Sequence, residues 1–118
     1  NWNCFSHHLA DTWNYFKFAI QKRIVMFKKL DPLLHSELRL AIMSILINVD
    51  EADFVYLKAE TEATSGNLSV QLEKLSDAKY IEIEKTFENK KPRTICRITE
   101  TGIEAMEKYI DALKDYIK

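Results

Sequence analysis

Two stretches of the chain carry side chains that suit contact with bases and phosphates. Asn67, Gln71 and Lys74 recur at helical spacing and share one helix face. Farther along, the sequence Lys90-Lys91-Pro92-Arg93 concentrates positive charge between two segments of alternating apolar and polar residues. Amide side chains hydrogen-bond to base edges, and Lys and Arg neutralise phosphates. These types and spacings favour a nucleic-acid surface, with the following candidates: Ser65, Gly66, Asn67, Val70, Gln71, Lys74, Lys90, Lys91 and Arg93.

The first stretch is amphipathic, which assigns a role to each of its candidates. Leucines at positions 68, 72 and 75 predict the buried stripe of a helix over about 65–77. The two outward amides suit paired hydrogen bonds to adenine, and Gly66 permits close approach. The Ser65 hydroxyl and the first-turn N–H groups suit a phosphate. The alternative is an ordinary solvated helix face beside a cationic loop, and the outward Glu73 favours it because a carboxylate repels phosphates.

Three further helices are predicted before this one. A stripe of apolar residues from Leu9 to Phe27 predicts an aromatic-rich helix over about 8–29. The Asp31-Pro32 pair interrupts it, and a second stripe predicts a buried helix from about Ser36 to Asn48. Asp53 suits the N-cap of a short helix over 54–60, with Phe54, Leu57 and Val55 inward. Thr64 or Ser65 then caps the fourth helix, after a tight polar turn.

The period changes after this helix. Alternating apolar and charged residues predict strands over about 80–86 and 94–99, joined by a long loop over 87–93. Thr101 begins a capping box for a final helix, and Thr99 is a rival cap. The helix carries an apolar seam whose residues are spaced three and four positions apart: Ile103, Met106, Ile110, Leu113 and Ile117. The outer half of this face is left uncovered in one copy of the domain. That uncovered part comprises Tyr109, Leu113, Tyr116 and Ile117.

Composition excludes several classes of protein. The 118 residues include two Gly and two Cys, too few for a glycine-rich phosphate loop or a disulfide framework. Cys4, His7 and His8 supply too few ligands for a metal site, and we expect no metal, no cofactor and no enzyme activity. The apolar N-terminal stretch holds four charged residues and so predicts neither a membrane span nor a signal peptide. We expect a cytoplasmic protein.

Charge is unevenly distributed in a chain whose net charge is −1. Residues 50–62 hold five acidic residues and one Lys, a net charge of −4. Residues 85–97 hold five basic residues and one Glu, a net charge of +4. The cationic segment coincides with the predicted hairpin loop, so positive charge is concentrated at one place in a nearly neutral protein.

From position 33 to the end, the chain resembles small winged helix-turn-helix transcriptional regulators of the MarR/ArsR-like kind. The resemblance predicts a mainly α fold with a β-hairpin wing, an extra N-terminal amphipathic helix and a C-terminal helix. We expect an N-terminal extension over 1–30 and a winged-helix domain over 31–118. The resemblance does not cover 1–25: similar proteins often begin near the position of Met26, which makes this segment an addition or an upstream extension of the reading frame. The matching segments are 35–42, 53–58, 66–69, 72–75, 80–83, 91–94 and 98–102.

The resemblance implies sequence-specific binding of double-stranded DNA by a homodimer, with helix 65–77 in the major groove and wing 86–94 on the backbone or minor groove. Two uncovered apolar stripes, at the N-terminal and C-terminal helices, favour a two-fold dimer joined through both. For the N-terminal stripe, the alternative is docking on its own domain. The alternative function is a winged-helix module that binds protein and not DNA, which the acidic segment and Glu73 favour. A sensor with a ligand pocket is a third possibility, but no sequence feature names an effector.

Overall fold

A computed structural model of the chain describes residues 12–17 and 27–117. Residues 12–17 are helical, as the N-terminal stripe predicts. Phe27 lies at a bend and 28–30 are not helical, so the prediction of a helix that continues to Lys29 is wrong at that end. The other residues of the predicted N-terminal helix lie outside the described part of the chain.

The remaining elements alternate helices with a small antiparallel sheet. The helices are α1 (Glu37–Asn48), α2 (Phe54–Thr61), α3 (Ser65–Asp77) and α4 (Glu100–Lys114). The strands are β1 (Ala52–Asp53), β2 (Ile81–Glu88) and β3 (Lys91–Ile98), in the sheet order β1-β3-β2. The predicted mainly α fold with a hairpin wing is confirmed, and β1 is an additional short strand whose two residues are too few to show a period.

Two side-chain caps and one left-handed residue define the short helices α2 and α3. Asp53 Oδ1 accepts a hydrogen bond of 2.8 Å from the backbone N–H of Tyr56. Thr64 Oγ1 accepts one of 3.2 Å from the N–H of Asn67, so Thr64 rather than Ser65 is the cap. Glu62, with φ of 57°, ends α2 in the left-handed region and turns the chain toward α3.

The core of the domain forms where α1, α2, α3 and the sheet meet. All three leucines of the α3 stripe are buried, together with Leu57 of α2. Val55, which we expected to face inward, is 75% exposed, because only one side of this two-turn helix contacts the core. The other buried apolar side chains include Leu34, Ile42, Met43, Leu46, Ile81, Ile95, Cys96, Met106 and Tyr109.

The hairpin is longer and tighter than predicted. Its strands continue through the expected loop, and Glu88 pairs with Lys91 across a two-residue turn. The turn residues Asn89 and Lys90 have φ of 52° and 66°, as a type I′ turn requires. In the sequence alone, the presence of Pro92 in this stretch is typical of a loop. However, Pro92 pairs with Phe87, next to the turn-closing pair. Antiparallel pairs alternate between bonded and non-bonded positions, so Pro92 occupies a position where the ladder uses no N–H.

The last helix begins at Glu100, two residues before the start that a Thr101 cap predicts. Thr99 Oγ1 accepts a hydrogen bond of 3.0 Å from the N–H of Gly102, so Thr99 is the cap and the Thr101 box does not form.

Tyr109 of this helix is 5% exposed, and its hydroxyl lies 3.1 Å from Nδ1 of His35. The expectation that Tyr109 stays uncovered is therefore wrong, and Ile110 of the predicted seam is exposed instead. The predicted seam passes from Met106 to Ile110. In the structure the buried face passes from Met106 to Tyr109, one residue earlier.

The chain divides into two compact units, one of which comprises Leu30–Asp111. The second unit contains the N-terminal residues as far as Lys29 and the C-terminal residues from Ala112. In the second unit, Phe27 and Tyr116 stack with ring centroids 4.6 Å apart.

None of the helices in the described residues combines the length and the apolar character that a membrane span needs. Nor do those residues contain a group of three or more side chains suited to a metal ion.

Candidate nucleic-acid interface

The outward face of α3 forms the first part of the candidate interface. Asn67, Val70 and Lys74 are exposed, and Gln71 is half-buried. The N-cap Thr64 leaves Ser65 and Gly66 exposed in the first turn. All six candidates on this helix therefore reach solvent. Asn67 and Gln71 lie one helical turn apart on the same face, as their spacing predicts, and their side chains are in contact.

Gly66 has open space around the position of an absent side chain. A Cβ built there has no neighbouring atom within 4 Å outside the helix backbone and its chain neighbours. The fold of this chain therefore does not require glycine at this position. None of the described residues approaches the side-chain position of Gly66. The close approach that Gly66 is expected to permit would therefore be that of a binding partner.

A chain of hydrogen bonds links the two amides to an arginine that the sequence reasoning did not select. Nη1 of Arg39, on α1, donates to Oε1 of Gln71 at 2.5 Å. Nε2 of Gln71 donates in turn to Oδ1 of Asn67 at 2.9 Å. Arg39 is itself anchored, since its Nε donates to the carbonyl of Leu33 at 2.5 Å. The outward amides are thus held by side-chain contacts that begin in the loop before α1.

The tip of the hairpin forms the second part of the candidate interface. Lys90 occupies the turn and Lys91 begins β3, and both are exposed. Neither is among the ion pairs found in the described part of the chain. Their ammonium groups remain available to an anion.

Arg93 differs from these lysines because carboxylates already contact it. Its Nη2 lies 3.3 Å from Oδ2 of Asp53, and its Nη1 lies 2.9 Å from Oε2 of Glu88. Both pairs are partly exposed to solvent, so water screens them. A phosphate that binds Arg93 must compete with these two carboxylates, which makes Arg93 a weaker candidate than Lys90 or Lys91.

The acidic and basic segments of the sequence meet in the sheet. Because β1 pairs with β3, Asp53 lies opposite Ile95 and beside Arg93. In the same way Arg97 contacts Glu51 at 2.7 Å and Glu84 at 2.8 Å. Hydrogen bonds to Glu84 and Glu51 raise the pKa of the Arg97 guanidinium above its ordinary value. Part of the acidic segment therefore neutralises arginines within the domain.

A groove lies between α3 and the hairpin, on the flank of α3 away from Asn67 and Lys74. Its volume is about 540 Å³, and its lining includes Ser69, Glu73 and Ser76 of α3 together with Lys85 of β2. The carboxylate of Glu73 therefore belongs to the groove wall and not to the face that carries the two amides.

Comparison with known proteins assigns a family to this arrangement. A family model described as a winged helix DNA-binding domain matches residues 38–117. The chain belongs to the winged helix DNA-binding domain family. An uncharacterized protein of Methanocaldococcus jannaschii is 33% identical over 76 residues, which cover 64% of this chain and 83% of that protein.

Solved structures agree with this assignment of the winged helix domain. A transcriptional regulator homologue from Pyrococcus horikoshii OT3 has a TM-score of 0.71 and 26% identity, covering 81% of this chain and 94% of that one. MarR has a TM-score of 0.63 and 17% identity, over 87% of this chain and 75% of that one. PadR of Bacillus subtilis, solved with operator DNA, has a TM-score of 0.57 and 18% identity, over 64% and 47%. The resemblance to MarR-like winged-helix regulators is confirmed.

In the winged helix domain, α2 and α3 form the helix-turn-helix and β2–β3 forms the wing. Two contacts of the candidate interface were missed from sequence: the Arg39–Gln71 hydrogen bond and the Asp53–Arg93 pair. They join residues 32 and 40 positions apart, respectively. The opposite charges of the two segments are the only sequence signal for the second contact, and no pattern marks Arg39.

Proposed function

We propose that the protein is a sequence-specific transcriptional regulator that binds double-stranded DNA as a homodimer. In this proposal α3 enters the major groove, and the wing lies on the backbone or in the minor groove. The observation that carries it is the outward face of α3, where two amides held in fixed positions lie beside Lys74, which forms no ion pair with the residues that the structure describes. Such a face offers both hydrogen bonds for bases and charge for phosphates.

The size and charge of the two elements support the proposal. A helix is about 10–12 Å across with its side chains, which matches the width of the major groove at about 12 Å. Lys90 and Lys91 stand at the tip of the wing and suit phosphate contact. Glu73, which favoured the alternative of a protein-binding module, lines the groove beside Lys85 and is turned away from the amide face.

Exposed aromatic side chains support the homodimer. Trp13 and Phe16 stack on each other with centroids 6.3 Å apart, and both rings are more than half exposed. Tyr116 and Ile117, at the other end of the chain, are exposed as well. Pairing around a two-fold axis buries the same patch on both copies of the chain. A dimer also places two α3 helices on half-sites about one DNA turn apart.

Selection of bound duplexes from a random pool tests the proposal. We expect a two-fold-symmetric consensus whose half-sites are separated by about one helical turn, or about 10 base pairs. Absence of any enriched sequence, with no binding to duplex DNA at low salt, would instead support the protein-binding module. An enriched sequence without symmetry would leave DNA recognition intact and contradict the homodimer.

A further inference from the structure

The hydrogen-bond chain that begins at Arg39 has only one consistent orientation. An arginine side chain donates hydrogen bonds and accepts none. The Gln71 atom that faces Arg39 Nη1 at 2.5 Å must therefore be the amide oxygen. The amide nitrogen of Gln71 then faces Asn67 at 2.9 Å, and the Asn67 atom that accepts from it must be the oxygen. The identity of Arg39 thus determines which way both amides point.

This orientation leaves donors at the outward surface. Oε1 of Gln71 is occupied by Arg39, and Nε2 retains one N–H beyond the one given to Asn67. Nδ2 of Asn67 retains both of its N–H groups, since it donates no hydrogen bond among the described residues. The free groups on these neighbouring side chains are mostly N–H donors.

We propose that Arg39 is a specificity-determining positioning residue that sets Asn67 and Gln71 to read guanine. Guanine presents two acceptors, N7 and O6, on its major-groove edge, whereas adenine presents one acceptor and one donor. Paired recognition of adenine needs an amide oxygen and an amide nitrogen from one side chain. In both side chains the oxygen already accepts one hydrogen bond, from Arg39 in Gln71 and from Gln71 in Asn67, whereas free N–H groups remain. This inference rests on the proposed DNA-binding function and replaces the adenine preference that the residue types alone suggest.

The position of Arg39 separates its role from that of a phosphate ligand. The side chain is half-buried on α1 behind Gln71, and the Leu33 carbonyl fixes the guanidinium from the other side. No carboxylate pairs with it in the described part of the chain. Its charge therefore adds long-range attraction to DNA, and an experiment must separate that attraction from the orientation of the amides. Arg39→Lys keeps the charge but replaces the planar fork of donors by a single ammonium.

Base analogues in the selected half-site test the proposal in the full chain. For the wild-type protein, replacing the contacted guanine by adenine should weaken binding about 5- to 150-fold. Replacing it by 7-deazaguanine, which lacks the N7 acceptor, should also weaken binding. Inosine keeps both N7 and O6 and should bind like guanine. Arg39→Met and Arg39→Lys should both lose most of this discrimination, and Arg39→Lys should keep the salt dependence of the wild type.

Lys108→Met is the matched control for Arg39→Met, because it removes one positive charge from an exposed position of α4 that belongs neither to the interface nor to the hydrogen-bond chain. It should keep the guanine preference. Side-chain amide NMR of the DNA-free protein provides an independent measurement: the Gln71 Nε2 and Asn67 Nδ2 signals should shift in Arg39→Met while the backbone spectrum stays folded. If Arg39→Met loses the fold, Arg39→Lys carries the comparison.

The possible outcomes separate this inference from the proposed function. If wild type selects a consensus and both Arg39 variants keep its discrimination at every position, the role of Arg39 is refuted and the DNA-binding function stands. A wild-type preference for adenine at the position contacted by α3 also refutes it. If the wild type binds no duplex, the proposed function fails and the specificity role fails with it.

Discussion

Asp53 lies 3.3 Å from the guanidinium of Arg93, 40 positions away in the chain. The two oxygens of its carboxylate have different tasks. Oδ1 caps α2 through the N–H of Tyr56, and Oδ2 accepts from Arg93 on the wing. One side chain therefore joins the start of the helix-turn-helix to the strand that carries the cationic tip, and it neutralises part of that positive charge.

Asp53→Asn should separate these two tasks. An asparagine keeps an oxygen that can cap α2, so the loss of stability should be about 0–1 kcal/mol, typical of a partly exposed ion pair. Arg93 becomes freer to contact a phosphate, so affinity for duplex DNA should rise and its salt dependence should steepen. Thermal unfolding and a salt series of binding titrations measure the two effects.

Asp53→Ala is the comparison, because it removes the cap as well. It should cost a further 0.5–2 kcal/mol or so of stability. Weaker DNA binding by Asp53→Asn, with its fold intact, would show that Asp53 orients Arg93 for DNA and does not compete for it.

The surroundings of the two glycines predict opposite effects of an alanine substitution on stability. Gly66 has open space around it, so Gly66→Ala should stabilise the free protein by about 0.4–1 kcal/mol through the helix propensity of alanine. A Cβ at Gly102 would lie 2.1 Å from the carbonyl oxygen of Tyr80, a backbone atom that cannot rotate away. Gly102→Ala should therefore destabilise the protein by about 1–3 kcal/mol. Chemical denaturation of both variants measures the difference.

Gly66→Ala has a second consequence at the interface. If α3 enters the major groove, the added methyl group meets DNA and should weaken binding although the protein is more stable. A variant that is more stable and binds equally well would place position 66 outside the contact.

Local patterns predicted the helices of the winged helix domain because each is amphipathic and carries its own start signal. The leucine stripe gave the bounds of α3 correctly, and Asp53 was recognised as a cap. The hairpin turn was missed because Pro92 and three cations look like a loop until pairing with β2 determines where the proline N lies. The burial of Tyr109 was missed because it depends on His35, 74 positions away.

The candidate site shows the same limit. The exposure of Asn67, Val70 and Lys74 follows from the helix period and was predicted. The engagement of Gln71 by Arg39 and of Arg93 by Asp53 depends on which elements pack together, and no spacing within a single helix or strand encodes it.

Stability should fall in strongly alkaline solution because two groups resist ionisation in the folded state. The hydrogen bond to Asp31, followed by burial and the Asp31 charge, raises the pKa of Tyr80 from 10.0 to about 12. Burial, followed by the charge of Asp53, raises the pKa of Cys96 from 9.0 to about 11. Both groups favour the folded state fully below their unfolded pKa values, and this contribution is lost as pH rises through the folded ones.

We therefore expect the free energy of unfolding to decrease from about pH 9 to pH 12. Cys96→Ala should remove the part that begins near pH 9, and Tyr80→Phe the part that begins near pH 10. Chemical denaturation at several pH values measures the slope. A slope that is the same in both variants as in the wild type would show that other groups cause it.

The proposed homodimer should depend on the exposed aromatic rings of the N-terminal segment. Sedimentation of the full chain should give about twice the mass of 13.8 kDa at micromolar concentration. Trp13→Ser combined with Phe16→Ser should shift it toward the monomer, because the exposed rings then no longer favour burial between copies. Phe87→Ser, at the even more exposed Phe87 of the wing, is the control and should leave the dimer unchanged.

A wild-type chain that sediments as a monomer would contradict the dimer. Equal association of the double variant would move the contact away from Trp13 and Phe16 and leave the C-terminal residues as its site.

The dependence of duplex DNA affinity on salt is the most direct test of the central claim, that α3 and the wing form a DNA-binding surface. Fluorescence anisotropy with the selected duplex should give a straight line of log affinity against log salt concentration with a negative slope. Lys74→Ala, Lys90→Ala and Lys91→Ala should each reduce the steepness by about one unit, whereas Lys108→Ala on α4 should not. A slope near zero, or the same slope in all four variants as in the wild type, would contradict the account.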